Sequence, residues 1–134
     1  MTDELSSEHI TAGLPSTGDL MALVANSWWR CAYAARGGNW ALAAYYARRV
    51  RSLQRRLGIV RPKHKERLAA YETAMLGPVF AALQARDLAS FDRAFAAATD
   101  DANRQHVETG YGYIKWRLPD EAPKDLDLGP DSPL

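Results

Sequence analysis

Residues 34–46 read AARGGNWALAAYY, and the order of those residues constrains how the rest of the chain must fold. Gly37 and Gly38 end one run of apolar residues at helical spacing, and Asn39 stands where a second run needs its N-cap. So short a break between two helices makes a helical hairpin, whose arms pack side by side. Upstream, from about residue 16 to 36, Leu20, Val24, Cys31 and Ala35 form one stripe, with Met21 and Trp28 beside it. Ser16 or Thr17 can cap its start. Downstream, from about 40 to 57, Ala43, Tyr46, Val50, Leu53 and Leu57 alternate steps of three and four, with Gly58 as the expected stop.

The remainder extends the same pattern. IVRPKHKE is a connection, and a third helix is expected over about 65–85, kinked or restarted at Gly77-Pro78. Asp87 can cap a fourth helix, about 88–109, with Gly110 at its end. Beyond Ile114 the chain becomes proline- and aspartate-rich, as an extended arm with a loosely ordered end would be. The expected fold is all-α: an antiparallel up-down-up-down four-helix bundle over residues 16–118. A flexible segment, 1–15, precedes it, and an acidic, proline-rich tail, 119–134, follows.

Composition narrows the function classes. A chain of 134 residues with 47% hydrophobic and 25% charged residues is one globular domain with a real core. One cysteine, Cys31, excludes an internal disulfide and any multi-thiolate metal site, and its place on an apolar stripe reads as a small buried residue. His9, His64 and His106 are far apart and none has a paired histidine–carboxylate spacing, so no site built from paired metal ligands is expected. The N-terminus lacks the basic start and apolar core of a secretory signal, and no apolar run is long enough to span a bilayer; the cytoplasm is the expected location, with no membrane partner. The net charge of +1 and the lack of a reading-helix motif argue against nucleic acid.

Charge is nevertheless uneven. Arg48, Arg51 and Arg55 fall on one face of the second helix, where they could make bidentate contacts to an acidic protein partner, such as the larger subunit of an enzyme. The alternative is a solvated face partly neutralised by the acidic tail.

Residues 100–114 read DDANRQHVETGYGYI. Leu88, Phe91, Phe95, Ala98 and Ala102 share a face of the fourth helix, and His106 follows Ala102 by one turn. The histidine therefore points to the interior of the bundle or its rim.

Three stretches together resemble the small c-type cytochromes built on the cytochrome c′-like four-helix bundle. Gly38, Asn39, Trp40, Leu42, Ala43 and Tyr45 match a Gly-Asn-Trp-x-Leu-Ala-x-Tyr signature of that family's hairpin. ALQARDLASF, residues 82–91, echoes a second family stretch. Ala102-Asn103-Arg104-Gln105-His106, followed by Gly110-Tyr111-Gly112-Tyr113-Ile114, aligns with the haem-attachment run Cys-Asn-x-Cys-His and its glycine-aromatic turn. The resemblance spans about residues 20–118. Its departure decides the function: both attachment cysteines are replaced, by Ala102 and Gln105, so thioether-bound haem is excluded.

What the resemblance implies is a haem-free, cytochrome c′-like binding or accessory protein that forms homo- or hetero-oligomers. It would serve as the small subunit of a larger enzyme or as a carrier of a small hydrophobic ligand. Trp28, Cys31, Tyr46, Phe95, Ala102 and Gln105 are the candidate lining of the vacated pocket. The alternative is a non-covalent b-type haem ligated by His106 and by Met21, which stands nineteen residues before Trp40 as the family's distal methionine does, for electron transfer or sensing. A further alternative reuses the pocket for acid–base chemistry by His106 with Tyr111 or Tyr113.

Overall fold

The structure is a computed structural model that describes residues 4–131. Among them it is all-helical, without strands, and no helix is long and apolar enough to cross a membrane. The helices are α1 (Ser7–Ala12), α2 (Thr17–Arg36), α3 (Trp40–Val60), α4 (Lys65–Tyr71), α5 (Gly77–Ala85) and α6 (Leu88–Glu108).

The capping residues act as the sequence predicts. Ser16 accepts from the Asp19 amide and Asp19 reaches back to the Ser16 amide, closing a capping box on α2. The Asn39 side chain accepts from the Leu42 amide, and that of Asp87 from the Ser90 amide. Gly38 takes a positive φ of 82° in the turn between α2 and α3. These two helices share the largest interface of the fold. Ala32, Ala34, Ala35, Ala43 and Ala47 are almost wholly buried there or nearby, and their small side chains let backbones approach.

Two helix limits differ from the sequence expectation. Gly58 does not end α3, which runs on to Val60 with Gly58 buried inside it. A Cβ at Gly58 would stand 3.4 Å from the Lys65 Cα, so the glycine admits the start of α4 rather than stopping a helix. The third expected helix is divided by a π-helical turn, Glu72–Leu76, between α4 and α5. Pro78 lacks an amide proton and its ring crowds the preceding turn, and widening that turn relieves both problems.

Both ends of the chain carry more structure than their composition suggests. Ser6 and His9 form a capping box that starts α1, a helix with no buried residue, inside the segment expected to be flexible. Residues 115–131 lie back along the α2–α3 hairpin instead of trailing from it. Leu118 and Leu128 pack on the core, the Tyr33 hydroxyl donates to the Pro119 carbonyl, and Arg30 pairs with Asp125 at 3.1 Å. The Asn39 side-chain Nδ2 donates to the Asp127 carbonyl, and Asp131 accepts from the Ala41 backbone amide and from Arg86. The arm passes so close to the hairpin that a Cβ at Gly37 would stand 1.9 Å from the Leu128 oxygen. Residues 132–134 of the expected tail lie outside the described residues.

Candidate functional site

Four chain segments meet around a cavity of about 400 Å3. Thr17, Met21 and Ala25 come from the first half of α2, Gln54 and Leu57 from the last turns of α3, and His64, Arg67, Leu68 and Tyr71 from the start of the third helical segment. Ala102, Gln105 and His106 come from the end of α6, and Tyr111, Ile114 and Trp116 from the chain just beyond it. The size lies in the lower part of the range of small-molecule sites, and the lining is mainly apolar.

The Gly-Tyr-Gly-Tyr turn explains the placing of His106. Gly110 takes a φ of 91°, which reverses the chain after α6, and the Tyr111 amide donates to the His106 carbonyl at 2.7 Å. The reversal brings the Ile114 carbonyl to 2.9 Å from His106 Nδ1. A carbonyl can only accept, so Nδ1 carries the proton in the neutral ring and Nε2 keeps a free lone pair. Trp116 stands edge-on to the imidazole, with ring centroids 5.5 Å apart. Asn103 fixes that tryptophan in turn: its Oδ1 accepts from the Trp116 amide at 2.6 Å, and its Nδ2 donates to the Trp116 carbonyl at 3.0 Å. One residue of the ANRQH run thus holds the arm against the helix that carries the histidine.

The other polar groups around the cavity divide into satisfied and unsatisfied. Tyr71 donates to the Ala98 carbonyl at 2.9 Å, and burial raises its phenol well above the ordinary range. Gln105 donates to Asp101 at 2.7 Å, and Arg67 is paired with Glu108 at 3.0 Å. Burial, aided by the neighbouring charges of Lys63 and Arg61, lowers the pKa of His64 and favours its neutral form. Gln54 is the exception: it is 6% exposed, lines the cavity, and has a buried Oε1 without any hydrogen-bond partner. An orphaned acceptor of this kind costs about 1–3 kcal/mol.

The expected site residues separate into two sets. Met21, Ala102, Gln105 and His106 line the cavity together. Trp28, Cys31 and Phe95 do not; they fill the core at the other end of the helices, where Trp28 stacks on Phe95 at 4.2 Å and donates to Thr99 at 2.9 Å. The Cys31 thiol is pushed up to about 12 by burial and is unreactive as a nucleophile. Tyr46 packs partly buried against the same core and meets Tyr45 edge-on at 5.1 Å. Of the two tyrosines considered for acid–base chemistry, Tyr111 lines the cavity, whereas Tyr113 is 80% exposed and lies off it.

Sequence reasoning missed Gln54, His64 and Trp116. The pairing of His64 with His106 around one cavity depends on how α4 docks against α6, which a separation of 42 residues conceals. Among the described residues no group of His, Cys, Asp and Glu is placed to hold a metal ion.

The arginine face is also redistributed. Arg55 makes a bidentate pair with Glu72, both contacts at 2.8 Å, and Arg51 lies over the Phe80 ring at 4.5 Å. Glu72 is correspondingly held below the ordinary carboxylate range by the Arg55 guanidinium. Arg48 stays exposed, beside Tyr45, Arg49, Ser52 and Arg56. The acidic tail neutralises Arg30 and Arg86 rather than these arginines.

Comparison with protein-family models, with curated proteins and with solved structures finds no match to this chain. The resemblance to the c-type cytochromes therefore rests on the quoted residues alone.

Proposed function

We propose that the chain is a haem-free binding protein of cytochrome c′-like, antiparallel four-helix-bundle type, and that its cavity takes a small, largely hydrophobic molecule. The bundle reading is supported by the composition of the cavity wall: the start of α2, the end of α3, the start of α4 and the end of α6 all reach it. The observation that carries the binding reading is the mainly apolar cavity of about 400 Å3. No thiol reaches this wall, since Cys31 is buried elsewhere, and a covalently tethered haem is chemically excluded.

A second reading has its own observation. His106 has its Nδ1 held by a carbonyl, as metal-bound imidazoles usually do, and Met21 lines the same cavity. These two side chains would hold a non-covalent haem, which would supply an iron centre for electron transfer or sensing. Addition of haem to the purified protein and to His106→Ala separates the readings. An unchanged free-haem spectrum in both is expected; a sharp low-spin Soret band in the wild type, lost in the variant, would overturn the haem-free reading.

We also assign the exposed face of Tyr45, Arg48, Arg49 and Arg56 to docking on an acidic protein surface, in keeping with an accessory role in the cytoplasm. Reversal of Arg48, Arg49 and Arg56 to glutamate should abolish co-purification of partners; retained partners would count against this assignment.

A further inference from the structure

The cavity opens to solvent, and the exposure of its wall shows where. Gly18 and Ala22 of α2, with Thr109, Tyr111 and Ile114 just beyond α6, line it and are all exposed. Gly18 and Ala22 stand one turn apart, and neither carries a side chain able to cross the opening. Tyr111 and Ile114 leave apolar surface on the rim.

The helix α1 enters the fold at that mouth. Residues 13–16 are all that separate it from Thr17, which lines the cavity beside Gly18. None of its residues is buried, and it shares no substantial interface with another helix. Six residues are too few to hold a helix in water unaided, so the rest of the fold does not account for it. Its sequence nevertheless specifies a helix. Ser6 and His9 close a capping box, and Leu5 and Ile10 occupy the flanking positions of a hydrophobic staple, one before the cap and one at the fourth helical residue. These two aliphatic side chains are 75% and 55% exposed. A short, locally specified helix thus carries an apolar knob into solvent.

We propose, resting on the binding reading above, that α1 is a lid whose Leu5–Ile10 knob closes on the rim of Tyr111 and Ile114 when the cavity is filled. Its tether is long enough: the chain from Ala12 to Thr17 can span up to ~17 Å, more than the width of a cavity of about 400 Å3. Over an empty cavity the knob has only a wet opening to cover. A hydrophobic occupant presents a surface continuous with the rim, so closing removes apolar area of knob, rim and ligand from water together. That difference between the empty and filled states is what shifts the equilibrium toward the closed lid. Closing also gives α1 the tertiary packing that its length demands.

Amide hydrogen exchange on the full chain, with and without naphthalene, reads the lid directly. The Ile10 and Gly13 amides donate to the Ser6 and His9 carbonyls, and both should exchange about tenfold more slowly once naphthalene is bound. Leu5→Ser combined with Ile10→Ser should abolish that protection. It should also weaken naphthalene retention in equilibrium dialysis about tenfold, the fold-change that burial of one aliphatic side chain supplies. Because α1 buries nothing, the double variant should unfold in urea as the wild type does. Equal retention of naphthalene by both proteins, with unchanged exchange in α1, would overturn the lid and leave the binding reading standing. Protection of α1 that rises with protein concentration and not with naphthalene would also overturn it, since α1 would then dock on a second copy. No retention of naphthalene by the wild type would overturn the binding reading, and the lid with it.

Discussion

The two ends of the helical core solve the same packing problem differently. Around the C-terminal half of α2 the interior is filled: Trp28, 1% exposed, lies flat on Phe95, which in turn stacks with Phe91. The indole N–H is satisfied by Thr99, whose own hydroxyl donates to the Phe95 carbonyl. Towards the other end, where α2 begins and α3 and α6 end, small side chains such as Ala25 and Ala102 line a cavity, and Gln54 Oε1 is left without a partner. Cores normally close such a space and satisfy such a group, and sites that violate packing and polar satisfaction together are where function concentrates. The contrast places the dense packing at one end and the open space at the other, and on the proposed reading that open space is where a ligand would bind.

The largest effect should come from opening the filled end. Trp28→Ala removes the stacked ring and the indole donor to the Thr99 hydroxyl, and should cost about 3–5 kcal/mol in urea-induced unfolding, in line with other buried aromatic truncations. If the loss is under about 1 kcal/mol, the division into a stabilising end and a binding end is wrong.

The arm binds the two ends together and comes next in size. Gly37→Ala would push a methyl group to 1.9 Å from the Leu128 oxygen, so the arm must lift from the hairpin. A loss of about 1–3 kcal/mol, the scale of overpacking, is expected, with faster protease cleavage within residues 119–131. Unchanged cleavage and stability would mean that the arm does not hold its observed position in solution.

Those regions differ as much in how far the sequence reveals them. The hairpin was legible because Gly37-Gly38 and Asn39 act locally, through backbone freedom and an N-cap that need no tertiary partner. The same holds for Ser16, Asp87 and Gly110. The inward aim of His106 followed from its one-turn spacing to Ala102. Gly58 misled because the reason for it is a close approach by Lys65, a contact between elements. The arm's docking was hidden for the same reason: acidic, proline-rich composition describes the chain without its partners, and Arg30, Asn39, Ala41 and Arg86 are all distant in sequence. Trp28 and Phe95 were assigned to the pocket because aromatic residues on an inward stripe look alike whether they pack on each other or line a void. Periodicity gives the direction of a side chain, not which end of the bundle it fills.

At the hollow end the same kind of substitution should behave in the opposite sense. Gln54→Leu replaces an amide that has no partner by an apolar group of similar volume, and should leave stability unchanged or raise it by about 1 kcal/mol. A loss beyond about 1 kcal/mol in chemical denaturation would show that the amide is satisfied within the folded chain. Ala102→Leu extends an apolar side chain into the cavity, where there is room for it, and should change stability by less than about 1 kcal/mol while reducing retention of an apolar probe such as naphthalene at least tenfold in equilibrium dialysis.

The smallest effect, and the one that reads the hollow end most directly, is its response to mild acid. His64 has a folded pKa below the ordinary 6.5, caused first by burial and then by Lys63 and Arg61. As the pH falls below 6.5 the unfolded chain takes up this proton before the folded one does, so stability declines with falling pH across that window. The depressed carboxylates act in the same direction but lower: Glu72, held down by Arg55, and Asp87, held down by its cap to Ser90, lose their contributions only as the pH drops through and below the ordinary 4.5 and 3.8. His64→Asn should therefore flatten the stability curve between about pH 6.5 and 5 while leaving the steeper acid limb in place. An unaltered slope in that window would mean that His64 is as well solvated as in the unfolded chain, and that this corner of the cavity wall is open to water.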